Sequence, residues 1–292
     1  MKTKEYIPLC YDLLFKKMFG SNEEIGRLEN LLSLYFNIPI EELKGRVRVI
    51  NNEKRINQKN EKRQTFDILA KVELINNKEK INIEINLSNS AGLLNRNIVY
   101  ISHIFSSQLK NKENYLEIEP VIQINFDDFE IDEKNQSIIK KYYIQSDTGH
   151  KLTNNLQIHH INIEKCKNIW YNEDINKYSK EEQRIIIFGS LMKAKNKDEF
   201  NKCLEALDME EFVKENIGQT MEDLNSDEEL LLFFDKDKII ISELVENLEK
   251  GIEKGINTRN IEIAKNMLKE NVEIELIVKI TGLTLEEVNS LR

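Results

Sequence analysis

The chain has 292 residues, 40% hydrophobic and 32% charged, with a formal net charge of −9. No run approaches the roughly 18 apolar residues a membrane span needs, and three scattered cysteines, Cys10, Cys166 and Cys203, rule out a disulfide framework. The opening MKTKEYIPLC carries no apolar signal core, so a cytoplasmic location is expected.

In chain order, the first predicted element is a helix over 5–18, with Leu9, Leu13, Leu14 and Met18 at helical spacing and Gly20 as its stop. Ser21 and Glu24 are spaced as a capping box for a second helix reaching about Asn37. Arg46 to Asn51 alternates like a half-buried strand, and 52–63 reads as a polar loop. Thr65 to Leu74 and Lys80 to Leu87 both alternate with period 2. A turn about Asn76-Asn77 then predicts a hairpin in which Ile68 faces Ile85, Ala70 faces Ile83 and Val72 faces Ile81. The other face sets Asp67 opposite Asn86, Leu69 opposite Glu84, Lys71 opposite Asn82 and Glu73 opposite Lys80.

A long helix over about 93–110 follows, then a nearly continuous apolar strand, Pro120 to Phe126, and two more strands at 138–145 and 156–164. Trp170 and Tyr171 fall in a predicted loop. From Ser179 the chain reads as helical, with capping boxes at Ser179/Glu182 and Ser226/Glu229. The stretch from about 228 to 270 reads as one or two long helices interrupted near Gly251 and Gly255. A short helical hairpin closes the chain, with Gly282 as a stop and Thr284/Glu287 as a capping box. The expected organisation is a domain over 1–220, helical from about 179, and an acidic helical tail over 221–292.

The charge is unevenly placed. Glu222 to Arg292 holds 17 acids against 9 bases, whereas Lys44 to Arg63 holds eight bases against Glu53 and Glu61. Net charge is therefore a poor guide to partners. The block containing Lys54, Arg55, Lys59, Lys62 and Arg63 reads either as a solvated loop or as a patch that tracks phosphates. On the wet face of the hairpin, Asp67 and Glu84 lie on diagonal positions of adjacent strands. Two such acids, beside the amide of Asn86, can bind a hard divalent cation next to phosphate. The same pattern also describes a merely solvated hairpin face. The four histidines, His103, His150, His159 and His160, show no ligand spacing, and no glycine-rich nucleotide loop is present in the sequence, so neither zinc nor a nucleotide cofactor is expected.

Several ordered segments carry a resemblance: DLLFKKMFGS, FDILAK, INIEIN, a helix with Arg96 and Tyr100, and NYLEIEPVIQINF. Together they resemble the Rpn group, recombination-promoting nucleases and transposase relatives within the PD-(D/E)XK superfamily. The likeness covers roughly residues 8–130 and continues more loosely through the GIEKGI tail and ITGLTLEEV. It implies an α/β fold with a restriction-endonuclease-like core, a mixed sheet flanked by helices. The core order is a helix, a three-strand antiparallel meander, a crossover helix and a further strand, and an all-helical extension follows. It implies that Asp67 and Glu84 carry Mg²⁺ or Mn²⁺, often accompanied by Asp12. The third catalytic position, Lys in the superfamily and usually Gln in the group, falls on Asn86. Asn can orient water or touch phosphate but supplies no cation. Lys71 shares the face, but a rise of about 3.3 Å per residue sets it about 13 Å along the strand from Asp67. Arg96, four residues before Tyr100, is placed to contact phosphate or to brace the core.

Two functions follow as expectations. The first is a Mg²⁺-dependent DNA endonuclease: Asp67, Glu84 and Asn86 form the site, and the basic block and Arg96 contact DNA. The second is a nuclease-fold module that binds nucleic acid or protein without cleaving. In either case the C-terminal helices are expected to join copies of the chain. The acidity of the closing hairpin, despite its helix-turn-helix look, favours packing there over contact with a DNA backbone.

Overall fold

The computed structural model describes residues 6–50, 67–74, 78–109 and 114–292. The basic residues Lys54, Arg55, Lys59, Lys62 and Arg63 lie outside the described residues.

The chain divides into two compact units, 1–227 and 228–292. The expected boundary near 221 falls inside a helix, and the break comes at Asp227, between two helices. In the first unit, α1 (Asp12–Phe19) and α2 (Ile25–Phe36) precede the short α3 (Ile40–Leu43). Then come β1 (Val47–Val49), β2 (Ile68–Glu73), β3 (Lys78–Asn86), α4 (Leu93–Ser106) and β4 (Val121–Asp127). The unit continues with β5 (Ile139–Tyr143), β6 (Leu156–Asn162), α5 (Ile163–Asn172), α6 (Lys180–Met192), α7 (Lys197–Ala206) and α8 (Glu211–Ser226). The second unit holds α9 (Glu228–Lys269), α10 (Ile274–Thr281) and α11 (Leu285–Ser290).

Among the described residues six strands form one mixed sheet, in the order β1-β2-β3-β4-β6-β5. The first three form an antiparallel meander, and α4 carries the chain over so that β4 runs parallel to β3. This is the expected core of helix, meander, crossover helix and strand.

At the central strand β4 both sheet faces are buried, and they are chemically opposite. One is apolar: Ile68, Ala70 and Val72 of β2, Ile81 and Ile83 of β3, and Ile122, Ile124 and Phe126 of β4. Helices α1 and α6 cover it with Phe15, Phe19 and Phe188, whose rings meet one another and Phe126 at centroid distances of 4.9–6.3 Å. Gly189 permits the close approach of α6 to α5, since a Cβ there would stand 2.7 Å from the Cys166 Cβ. The other face pairs Asn82 with Gln123, Glu84 with Asn125 and Asn86 with Asp127 across β3 and β4. At its β4-start end, α4 packs Ile101 and Ile104 against Leu69 and Val121.

Several local expectations are corrected. The β2–β3 register is offset by two residues: Ile68 pairs with Ile83 and the last pair is Glu73 with Lys78, leaving four residues between the strands. A two-residue offset keeps every side chain on its face, so an alternating pattern cannot distinguish the two registers. Ser21 and Glu24 form no capping box; Glu24 itself is the N-cap of α2, and Ser21 accepts from the Glu23 N–H instead. Ser226 closes α8, donating to the Glu222 carbonyl, rather than opening α9. Gly251 and Gly255 do not interrupt α9, which is continuous. Trp170 and Tyr171 lie in α5, not in a loop. The crossover helix stops at Ser106 rather than near 110, and Leu9 precedes the first helix. The boxes at Ser179/Glu182 and Thr284/Glu287 form, and Gly282 ends α10 with φ 72°.

Candidate active site

Asp67 stands at the start of β2. Its Oδ2 accepts from the Ile85 backbone N–H at 2.8 Å, which ties it to β3. The observed register, extended by one residue, sets it directly opposite Glu84. Its Oδ1 meets the Lys16 ammonium at 2.9 Å, and Lys16 reaches Asp12 Oδ2 at 3.0 Å. Asp12 and Asp67 are therefore joined through a lysine of α1. Burial opposes the charge on Lys16, but Asp67 and Asp12 together hold its pKa above the ordinary value. Lys16 carried no separate prediction; its signal was a basic residue one helical turn after Asp12.

Glu84 is buried, with 4% of its surface exposed. Its Oε1 accepts from Asn82 Nδ2 at 3.0 Å. Burial, and then the nearby Asp67 carboxylate, push its pKa up to about 8, while Asn82 and Arg96 act against that rise. Burial, and then Asp12, likewise raise Asp67. Two carboxylates in one low-dielectric pocket resist ionising together. A cation between them would remove that penalty, and oxygen-only donors suit a hard divalent ion that keeps part of its shell for water and phosphate. Among the described residues no three His, Cys, Asp or Glu side chains form a ready metal cage. Asp67 and Glu84 are the acids that could hold such an ion, and Asp12 is tied to the pair through Lys16.

Asn86, also buried, is engaged at both ends of its amide. Nδ2 donates to Asp127 Oδ1 at 2.8 Å, and Oδ1 accepts from Arg96 Nη2. Behind it the polar layer continues. His160 Nδ1 meets Asp127 Oδ2 at 2.6 Å, Gln123 donates to Asn125 at 3.1 Å, and Asn125 donates to the His159 carbonyl at 3.0 Å. Asn82 Oδ1, Gln123 Oε1 and both polar atoms of Asn97 are buried without a protein hydrogen bond. Buried orphans of this kind typically cost about 1–3 kcal/mol each. Gln123, Asn125 and Asp127 were not singled out from the sequence, where PVIQINFD read as an apolar strand; the period-2 polar residues inside it were the available signal.

Gly92, at φ 90°, turns the chain from β3 into α4 and so sets the helix phase that presents Arg96. Arg96 lies 5.9 Å from the Tyr100 ring centroid, and Arg96 itself is exposed. Burial, then Glu84, raises the Tyr100 pKa, which places that phenol within the field of the carboxylates. Lys71 does not enter this group. It pairs with Glu73 at 2.8 Å and Glu119 at 2.9 Å. The two strand histidines are divided as alternation requires. His160 joins the polar layer, while His159 meets the Tyr35 hydroxyl at 2.8 Å on the apolar side, and burial lowers its pKa to about 3.

Comparison with protein families gives two matches. The model for PD-(D/E)XK nuclease family transposases matches residues 9–231, and the model for the C-terminal helix-turn-helix domain of the Rpn/YhgA-like nuclease family matches residues 257–292. No curated protein and no solved structure matches the chain.

Proposed function

This chain belongs to the PD-(D/E)XK nuclease family of transposases, and from that membership and the polar sheet face we propose that it is a Mg²⁺-dependent DNA endonuclease. The observation that carries the reading is the pair Asp67 and Glu84, opposed on neighbouring strands, Glu84 buried and Asp67 mostly so, and both raised in pKa by burial and a neighbouring carboxylate. Asp67 and Glu84 hold the ion; Mn²⁺ has the same oxygen preference and serves as the alternative. When bound, the metal neutralises phosphate charge and lowers the pKa of water. Water adds to phosphorus and one P–O ester bond breaks, leaving a phosphomonoester and a hydroxyl. Asn86 completes the site from the same strand as Glu84.

DNA is the proposed partner, and the basic block with Lys54, Arg55, Lys59, Lys62 and Arg63 its main backbone contact. The helix-turn-helix match at 257–292 supports DNA contact by the tail as well. Against a leading role for it, the first turn of α11 carries Glu286 and Glu287 where phosphates would approach. Neutralising the five basic residues should flatten the slope of log K against log salt by a few units, at about 0.9 per phosphate contact. Normal binding by that variant, with loss on removing 228–292, would transfer the reading of DNA to the tail.

A second copy of the chain is the proposed partner of α9. Ile241, Leu244 and Leu248 stand exposed at heptad spacing, and Gly251 and Gly255 continue the seam with open space at each Cβ. A heptad seam is self-complementary, and glycine lets helix backbones approach closely. Light scattering of Leu244→Glu/Leu248→Glu should report a smaller species than wild type; an unchanged mass refutes this interface. Among the described residues no helix is long and apolar enough to cross a membrane, and the cytoplasm is the proposed location.

The test of the reaction is plasmid nicking with Mg²⁺ or Mn²⁺, wild type against Asp67→Ala, with calorimetric metal titration of Glu84→Ala. Nicking lost in the first and binding lost in the second are expected. Metal binding unchanged in Glu84→Ala overturns the ligand assignment. The engagement of both ends of the Asn86 amide favours the other reading, a binding module without catalysis, and a wild type that binds DNA but never nicks it would establish that alternative.

A further inference from the structure

We propose that Arg96 is the catalytic cation of this site and that Asn86 is its positioning residue, the guanidinium on α4 supplying the positive charge that the β3 side chain lacks. The inference deepens the nuclease reading and rests on it.

An Asn amide has two N–H donors and an oxygen that accepts two hydrogen bonds, and at Asn86 both the nitrogen and the oxygen are already in use by protein partners, so a water or phosphate could claim only what is left. Asn86 donates to Asp127 Oδ1 at 2.8 Å and also lies 3.5 Å from Asn125 Oδ1; its own Oδ1 takes the Arg96 N–H. Asp127 is in turn held by His160 at 2.6 Å, with both side chains almost fully buried. A guanidinium only donates, so the amide has one orientation, with oxygen toward Arg96 and nitrogen toward Asp127. The layer from His160 to Asn86 is a rigid support that ends on a guanidinium.

That guanidinium keeps most of its donors. Arginine has five N–H groups, and among the described residues Asn86 takes one of them, from Nη2. Its charge reaches both Glu84 and Tyr100 electrostatically, which sets it beside the proposed metal ligands. The residue is exposed, so a polyanion can approach it. Arginine stays protonated at any working pH and meets phosphate oxygens with a planar fork. It therefore suits charge stabilisation on a phosphorus centre, rather than proton transfer.

Three measurements on the full chain test this. Arg96→Ala should lower nicking by about 10²–10³, the usual loss on removing a group that stabilises transition-state charge, in a chain that melts somewhat lower because Asn86 Oδ1 loses its donor but is still folded at the assay temperature. In the absence of metal, anisotropy titrations of duplex DNA should show its salt slope reduced by about 0.9, one phosphate contact. Asn86→Lys placed in the Arg96→Ala background should recover at least tenfold of the lost rate, because the removed guanidinium leaves room for a strand-borne ammonium. Wild-type nicking by Arg96→Ala overturns the proposal. So does an unchanged salt slope with no recovery in the double variant, which would make Arg96 a brace. A wild type that binds DNA without nicking removes the nuclease reading, and the slope alone then decides whether Arg96 contacts phosphate. A wild type that does not bind duplex DNA overturns both.

Discussion

The two sides of the central strand β4 are equally hidden from water and are held by opposite means. On one, Ile124 and Phe126 of β4 pack against aromatic rings of α1 and α6. On the other, Gln123, Asn125 and Asp127 of the same strand pass hydrogen bonds among Asn86, His160 and the backbone. Apolar burial contributes about 25 cal/mol per Å² without any requirement on direction. A buried polar layer gains only about 1 kcal/mol per hydrogen bond and loses more for each group left unpaired. The second face is thus a poor way to build stability and a good way to hold a few side chains in one orientation.

The largest expected effect lies on the apolar face. Phe126→Ala should destabilise the first unit by about 3–5 kcal/mol, the usual range for removing a core phenylalanine, read as a drop in denaturation midpoint. A loss under 1 kcal/mol would mean that this face does not carry the fold.

On the polar face the sign reverses. Glu84 has its pKa raised to about 8 in the folded chain against an ordinary 4.5. Within that window the folded chain keeps a proton that the unfolded chain has released, so stability falls as pH rises through it. Below about pH 4.5 both states are protonated and the penalty is absent. Glu84→Gln should therefore stabilise the metal-free protein at pH 8, by at most a few kcal/mol, with little change at pH 4.5, while abolishing metal binding. Thermal melts at the two pH values check this, and a Glu84→Gln protein less stable at pH 8 than wild type would contradict it.

Asp127→Ala comes next. It removes the carboxylate that Asn86 Nδ2 and His160 Nδ1 meet, and denaturant melts should show a net loss of about 1–3 kcal/mol, the scale for a buried polar group left unmet; an unchanged midpoint would contradict it. The smallest effect belongs to Lys71→Ala. Its partners Glu73 and Glu119 lie near the surface, and such pairs contribute about 0–1 kcal/mol. Nicking should survive that change, and its loss would return Lys71 to the site.

Much of this arrangement was legible in the chain. Alternation in FDILAK and INIEIN placed Asp67 and Glu84 on one face, because side-chain direction in a strand has period 2 and is local. The capping boxes at Ser179 and Thr284 and the stop at Gly282 were legible for the same reason: each concerns groups within one helical turn. The register of β2 on β3 was not, since a shift of two residues leaves the alternation intact and is resolved only by strand pairing in the assembled sheet. Nor was the capping at Ser226, where α8 runs to that residue and the chain turns after it. The partners of Asn86 come from positions 96 and 127. Hydrogen bonds across such separations depend on the parallel β3–β4 pairing and on the placement of α4, so local pattern could name the residues of this site, and only tertiary structure could say which of their donors and acceptors were already engaged.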